Sequence, residues 1–273
     1  MVQISLDSIS TLGMPPYGHV ELAERLGCSH LCLSVAPIVH LPELYPQWSL
    51  RDDPSAVREV KAALALSGLR VLAGEGFFIA PCHDVEGLGQ DFDIMAELQA
   101  ARLTVYSLEP DRSRALDQLA IMAEMAAARG MGVNLEFVPT LAIADLRSAL
   151  SAASYIGRDD FGLVLDAMHI FRSGATEIDV AAIDPGLIGH VQLCDVSLTH
   201  DPAHYGFEAS FERLQPGEGE LPLTAFLRAL PDDRPIGLEI PMRSRALSGE
   251  DAYDRLRPCV EAAIALAAAA RNA

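Results

Sequence analysis

The chain has 273 residues, half of them hydrophobic, enough to bury a large core, and α/β barrels of this length form single domains. Lys and Arg total 20 against 38 Asp and Glu, a formal net charge of −18 that repels phosphate backbones and anionic lipid headgroups. Nucleic-acid and membrane partners are therefore not expected.

In chain order, short apolar β-branched runs at 2–6, 30–35, 69–74, 103–107, 132–136, 162–166, 188–194 and 236–240 read as strands. Between and after them, helical patterns fall at 17–26, 54–67, 91–100, 112–129, 143–154, 178–183, 223–229 and 250–270. Asp53-Pro54 supplies an N-cap followed by proline at the first helical position, and Gly27, Gly68 and Gly130 fall just past helix ends. Sixteen alternating elements without a composition break predict one (β/α)8 TIM barrel over residues 1–273, with an open doubly wound sheet as the competitor. The Gly-rich phosphate fingerprint of that competitor is missing after the first strand. Two connections, 36–53 and 196–220, are longer than a barrel requires, and at the catalytic face such loops serve as lids or specificity walls.

Cys28, Cys32, Cys82, Cys194 and Cys259 are odd in number and lack a C-x-x-C pair, so buried free thiols are expected rather than disulfides. The first seven residues carry no basic segment and meet Asp7 before any long apolar run, and the stretch 262–270 is too short to span a bilayer. A cytoplasmic location is expected.

The chemistry gathers at four strand ends. Glu136, Asp166, Gln192 and Glu239 close or lie near the ends of the fifth to eighth runs, where a parallel barrel assembles its site. Singly, such residues are more often caps or salt-bridge partners; four oxygen donors at equivalent places are not something packing requires. Together they predict an all-oxygen site for one Mn²⁺ or Mg²⁺, with Zn²⁺ or Co²⁺ as competitors. A hydroxy-carbonyl substrate could chelate that metal and have its C–H bond acidified.

His169, three residues beyond Asp166 on the segment leaving the sixth strand, is placed to exchange a proton with a substrate hydroxyl. His190 points to the same side of its strand as Gln192, one layer deeper, and reads as a core residue or one that supports a ligand from behind. Asp195 either orients a ligand or caps its loop. Arg213, before the Pro216-Gly217-Glu218-Gly219 turn, is a candidate substrate clamp, its guanidinium suited to a carboxylate or oxyanion.

Leu135-Glu136, Asp166-Ala167-Met168-His169, His190-Val191-Gln192-Leu193-Cys194-Asp195, Arg213 with Pro216-Gly217-Glu218-Gly219, and Leu238-Glu239-Ile240-Pro241 resemble the xylose isomerase-like TIM barrels. That group holds sugar isomerases and epimerases, inosose dehydratase, hydroxypyruvate isomerase and 3-dehydroshikimate dehydratase. The resemblance implies that Glu136, Asp166 and Glu239 are carboxylate metal ligands, that Glu136 and Glu239 act as bases on opposite substrate faces, and that His169 transfers protons. Gln192 stands where the epimerases usually carry histidine and dehydroshikimate dehydratase-like members carry glutamine. The related endonuclease IV class needs a histidine-rich zinc cluster and a basic face, which the charge here opposes.

The expected function is a divalent-metal-dependent isomerase or epimerase of a small sugar-like carbonyl compound, working through a metal-stabilised enediolate. The alternatives are a lyase that dehydrates a cyclic hydroxy-ketone and a barrel that binds ligand without turnover. The expected partner is a small-molecule substrate, and self-association stays open.

Overall fold

Strands buried on both sides need near-continuous apolar sequence, and β1 (Ile4–Leu6), β2 (His30–Ser34) and β6 (Phe161–Asp166) are buried at every position. The computed structural model describes residues 2–272. The chain order runs β1, α1 (Pro16–Arg25), β2, α2 (Pro54–Ser67), β3 (Arg70–Ile79), α3 (Gly89–Glu97), β4 (Arg102–Ser107), α4 (Arg112–Ala127), β5 (Gly132–Glu136) and α5 (Leu146–Ile156). It continues through β6, α6 (Ala167–Arg172), α7 (Glu177–Ala181), β7 (Ile188–Leu193), α8 (Tyr205–Phe211), α9 (Leu223–Arg228), β8 (Ile236–Leu238), α10 (Arg243–Leu247) and α11 (Ala252–Asn272). All neighbouring strands are parallel, and β8 pairs with β1 through Ile4↔Ile236, Ser5↔Gly237 and Leu6↔Leu238, closing the (β/α)8 barrel.

Local chemistry fixes the helix starts. Asp53 accepts from Ser55 N and Ala56 N to begin α2, and Asp145 with Ser148 forms a capping box that begins α5 three residues later than the apolar pattern at 143 suggests. Gly27, Gly68 and Gly130 all take positive φ after α1, α2 and α4, as their positions predict.

Three differences from the sequence reading bear on the site. Strand β3 runs on to Ile79, because Gly74-Glu75-Gly76 is a kink within the strand, with Gly76 at φ +82° where the register against β4 shifts. Strand β8 ends at Leu238, so Glu239 lies one residue past it, its N–H still donating to the Leu193 carbonyl. His169 sits inside a helix, α6, rather than on an open loop, because Asp166 caps that helix by accepting from His169 N at 2.8 Å. The short helices α6, α8 and α10 are too brief for a helical period to emerge from their sequences.

Register sets the heights of the functional side chains. Asp166 pairs with Gln192, which pairs in turn with Gly237, while Val164 two residues below lies between Glu136 and His190. Among the described residues no helix is long and apolar enough to cross a membrane.

His19 ties α1 to the barrel. Its Nε2 donates to the Leu6 carbonyl at 3.2 Å, and its Nδ1 lies 3.1 Å from Thr11 Oγ1. Burial lowers its pKa from 6.5 to about 4, outweighing the pull of Asp7. The folded chain thus resists a proton that the unfolded chain accepts between about pH 4 and 6.5, so stability is lost as pH falls through that window and regained as it rises. The slope attributable to one such histidine is at most about 1.4 kcal/mol per pH unit. Denaturant unfolding at pH 7 and pH 5 should show a smaller loss in His19→Gln than in the parent chain; equal losses would remove His19 as the source.

Candidate active site

The C-terminal ends of the strands open into a cavity of about 260 Å³ bordered by Glu75, Glu136, His169, Arg213 and Glu239, with Tyr106 on its wall. The two long connections both reach it. Ile38 enters from the segment after β2, and Gly206, Ala209 and Ser210 from α8. Trp48 anchors the first segment by donating from Nε1 to the Gly13 carbonyl at 2.9 Å.

Arg213 holds the carboxylates of β6 and β8 together. Its Nη1 donates to Asp166 Oδ2, and its Nη2 lies 2.7 Å from Glu239 Oε2. The guanidinium is itself fixed by Nε donating to the Ala209 carbonyl at 2.9 Å and by Cys194 Sγ at 3.2 Å. Arg213 therefore lies at the pocket as the sequence suggests, but the carboxylates it clamps are the chain's own. Burial opposes ionisation of Asp166, yet Arg213, His169 and the capped backbone N–H hold its carboxyl near 2. Burial pushes the Glu239 carboxyl well above its ordinary value against the pull of Arg213, with Glu136, Asp166 and Glu75 adding to the rise.

Gln192 donates from Nε2 to Glu239 Oε1 at 3.0 Å, and its Oε1, fully buried, has no hydrogen-bond partner among the described residues. Glu136, Asp166 and His169 form a second grouping, each offering a ligand atom within 4.8 Å of the others. The donor set suits a hard dication. Three carboxylates face one guanidinium, and the amide oxygen lacks the partner that buried polar atoms ordinarily have.

His169 is oriented from two sides. Its Nδ1 lies 2.7 Å from the Tyr205 hydroxyl, and its Nε2 lies 3.4 Å from Glu136 Oε1. Burial and the Asp166 charge raise the Tyr205 pKa, so the phenol keeps its proton. With Nδ1 engaged by the hydroxyl, Nε2 is the nitrogen turned towards Glu136.

Asp195 is a loop cap. It accepts from Val196 N, Gly217 N and Leu221 N at 2.9, 2.8 and 3.1 Å, fastening the turn after Arg213. His190 is buried one layer beneath Gln192, as its spacing predicts. Two residues escaped the sequence reading. Glu75 was hidden by its flanking glycines, although Phe77-Phe78-Ile79 beyond them continue the strand pattern; Tyr205 lies in a connection without periodic signal.

A family model described as the xylose isomerase-like TIM barrel matches residues 20–262. The chain belongs to this family. It is 26% identical over 226 residues to an inosose isomerase of Bacillus velezensis, covering 77% of each chain. It is 27% identical over 124 residues to the inosose isomerase of Bacillus subtilis, a match that spans 43% of that enzyme and 45% of this chain. Among solved structures, the IOLI protein with a bound zinc atom superposes with a TM-score of 0.79 over 98% of both chains at 18% identity, a likeness of fold.

Replacing Arg213 by methionine should leave two buried carboxylates uncompensated and cost about 3–5 kcal/mol. Chemical denaturation of the metal-free protein measures this. A variant as stable as the parent would mean that the ion pairs contribute nothing net, and Arg213→Lys, which keeps the charge but loses the fork, should fall between them.

Proposed function

We propose that the chain is a divalent-metal-dependent isomerase or epimerase of a small polyhydroxylated carbonyl compound, with cyclic polyol ketones of the inosose kind as the first substrates to try. The observation that carries this reading is the convergence of Glu136, Glu239, His169 and Arg213 on one small cavity. The relation to inosose isomerases and the family's enzymes support it.

Glu136, Asp166, Gln192 and Glu239 would hold the metal, Mn²⁺ or Mg²⁺ by their hard oxygen donors, although a bound zinc in a protein of the same fold keeps Zn²⁺ among the candidates. A bound dication would supply polarisation of the substrate carbonyl and its neighbouring hydroxyl. The remaining work belongs to the side chains. Glu136 or Glu239 removes the C–H proton beside the carbonyl, giving an enediolate, and a proton returns to carbon without loss of any substrate atom. The Arg213 fork keeps Glu239 and Asp166 in fixed positions, so little reorganisation is needed as charge moves.

A second reading, dehydration of a cyclic hydroxy-ketone, is favoured by two features. Gln192 stands in the place of the epimerases' histidine. The Tyr205 hydroxyl holds His169 by Nδ1 and leaves Nε2, beside Glu136, as the nitrogen that would pass a proton to a departing hydroxyl. In that case the enolate expels a β-hydroxyl, which leaves as water.

Manganese-loaded protein assayed in D₂O against ketoses, inososes and 3-dehydroshikimate separates the readings. An isomerase places solvent deuterium at carbon in a product of unchanged composition, whereas a dehydratase accumulates an absorbing conjugated product. His169→Ala should slow turnover by ~10²–10⁴-fold with metal affinity nearly intact. Glu239→Gln should weaken Mn²⁺ binding in calorimetry. A protein that binds Mn²⁺ and members of the panel but turns none over would be a binding barrel, and both enzymatic readings would fall.

A further inference from the structure

The interior layers of a parallel barrel are ordinarily packed with branched apolar side chains supplied by alternate strands. From the cavity floor at Glu75 downward, this chain departs from that pattern. Asp7, just beyond β1, Cys32 of β2, Glu75 of β3 and His190 of β7 all turn inward, with exposures of 0, 0, 4 and 3%. One oxygen, sulfur or nitrogen atom from each lies within 4.8 Å of the others.

Contacts within the group leave it incomplete. Cys32 Sγ donates to Asp7 Oδ1 at 3.3 Å, and Ser5 Oγ reaches the same oxygen at 3.5 Å. Ser8 N donates to Glu75 Oε2 at 2.8 Å. His190 Nε2 stands 3.5 Å from Asp7 Oδ2 without forming a hydrogen bond. Asp7 Oδ2, Glu75 Oε1 and both ring nitrogens of His190 have no hydrogen-bond partner among the described residues. Each such atom carries the cost of a lost hydrogen bond, so several of them turned to one small volume call for a shared partner. The strand between β7 and β1 leaves room. A Cβ at Gly237 would lie 2.5 Å from His190 Nε2 and 2.8 Å from Asp7 Oδ2, so β8 meets the group with bare backbone.

We propose that Asp7, Cys32, Glu75 and His190 form a second metal site, which holds one zinc-class dication inside the barrel. The site shares no residue with Glu136, Asp166, Gln192 and Glu239 and stands or falls independently of the proposed activity. Two carboxylates, an imidazole and a thiolate make a four-coordinate shell with borderline-soft character, the donor chemistry of Zn²⁺ or Co²⁺ rather than Mg²⁺. Bonds of about 2.0–2.3 Å bring tetrahedral ligand atoms to roughly 3.3–3.7 Å apart. The group therefore has to close by about 1 Å at its widest. Binding replaces the thiol proton of Cys32 by the metal and releases that proton to solvent. With four protein ligands and no open position the ion is structural, joining β1, β2, β3 and β7 beneath the reaction cavity.

The test is titration of the chelator-treated full chain with Co²⁺ and Zn²⁺. The expected result is a near-ultraviolet thiolate-to-cobalt charge-transfer band that Cys32→Ser abolishes. Zinc stoichiometry should fall from two to one per chain in Cys32→Ser and in His190→Asn, with Mn²⁺ binding at the strand-end residues retained. A cobalt protein without the band, a band that survives Cys32→Ser, or one zinc per chain in all three proteins would overturn the proposal. Should the variants fail to fold, X-ray absorption at the zinc edge of the wild-type chain decides: a sulfur neighbour at about 2.3 Å supports the site, and a shell of nitrogen and oxygen alone overturns it.

Discussion

The guanidinium of Arg213 is the contact on which the cavity's geometry turns. It is buried between a carboxylate that ends β6 and one that follows β8, strands that are not neighbours in the sheet. Without it two negative charges would face each other in low dielectric. With it Asp166 stays ionised and free to cap α6, which aims His169 at the cavity. One cation thus sets the position of an acid, a helix start and an imidazole.

The charge balance above it is deliberately unfinished. Asp166, Glu136 and Glu239 outnumber Arg213, and burial, with the neighbouring carboxylates adding to it, raises the proton affinity of Glu239. A group in that state accepts either a proton or a cation, and the unpartnered amide oxygen of Gln192 beside it favours a cation. The polar layer around Asp7 and His190 repeats the situation at greater depth with softer donors.

Much of this was legible in the sequence, for reasons that can be stated residue by residue. Asp166 terminates an unbroken apolar run and Glu136 one interrupted only by Asn134, so their location at strand ends follows from pattern alone. Gln192 and Glu239 needed the register of a closed barrel, and they are indeed in contact. Glu75 was obscured because two glycines around an acid read as a turn when the strand in fact kinks through them. The Tyr205–His169 hydrogen bond joins residues 36 apart through a short helix inside a long connection, and no local periodicity encodes such a meeting. Arg213 was read as a substrate clamp, and its ion pairs with Asp166 and Glu239 were not foreseen, since a residue type announces its charge and not which carboxylates will surround it.

Arg172, the last residue of α6, has a wider effect than its place suggests. It donates to the Ser197 carbonyl and to both carboxylate oxygens of Glu208, and its guanidinium lies over the Tyr205 ring at 5.6 Å. The connection after β7 is thereby riveted at both ends of its first half to the helix that carries His169. The opposite wall, formed by residues 36–53, is held by apolar packing of Val39 and Leu41 against Ile9 and Leu12, by Trp48 donating to the Gly13 carbonyl, and by Arg51 donating to both carboxylate oxygens of Asp91. Each connection is thus pinned to a different helix, one to α6 beside the imidazole and the other to α3 through Asp91. Substitutions in residues 36–53 therefore reshape the cavity from a side that the Tyr205–His169 pair does not occupy.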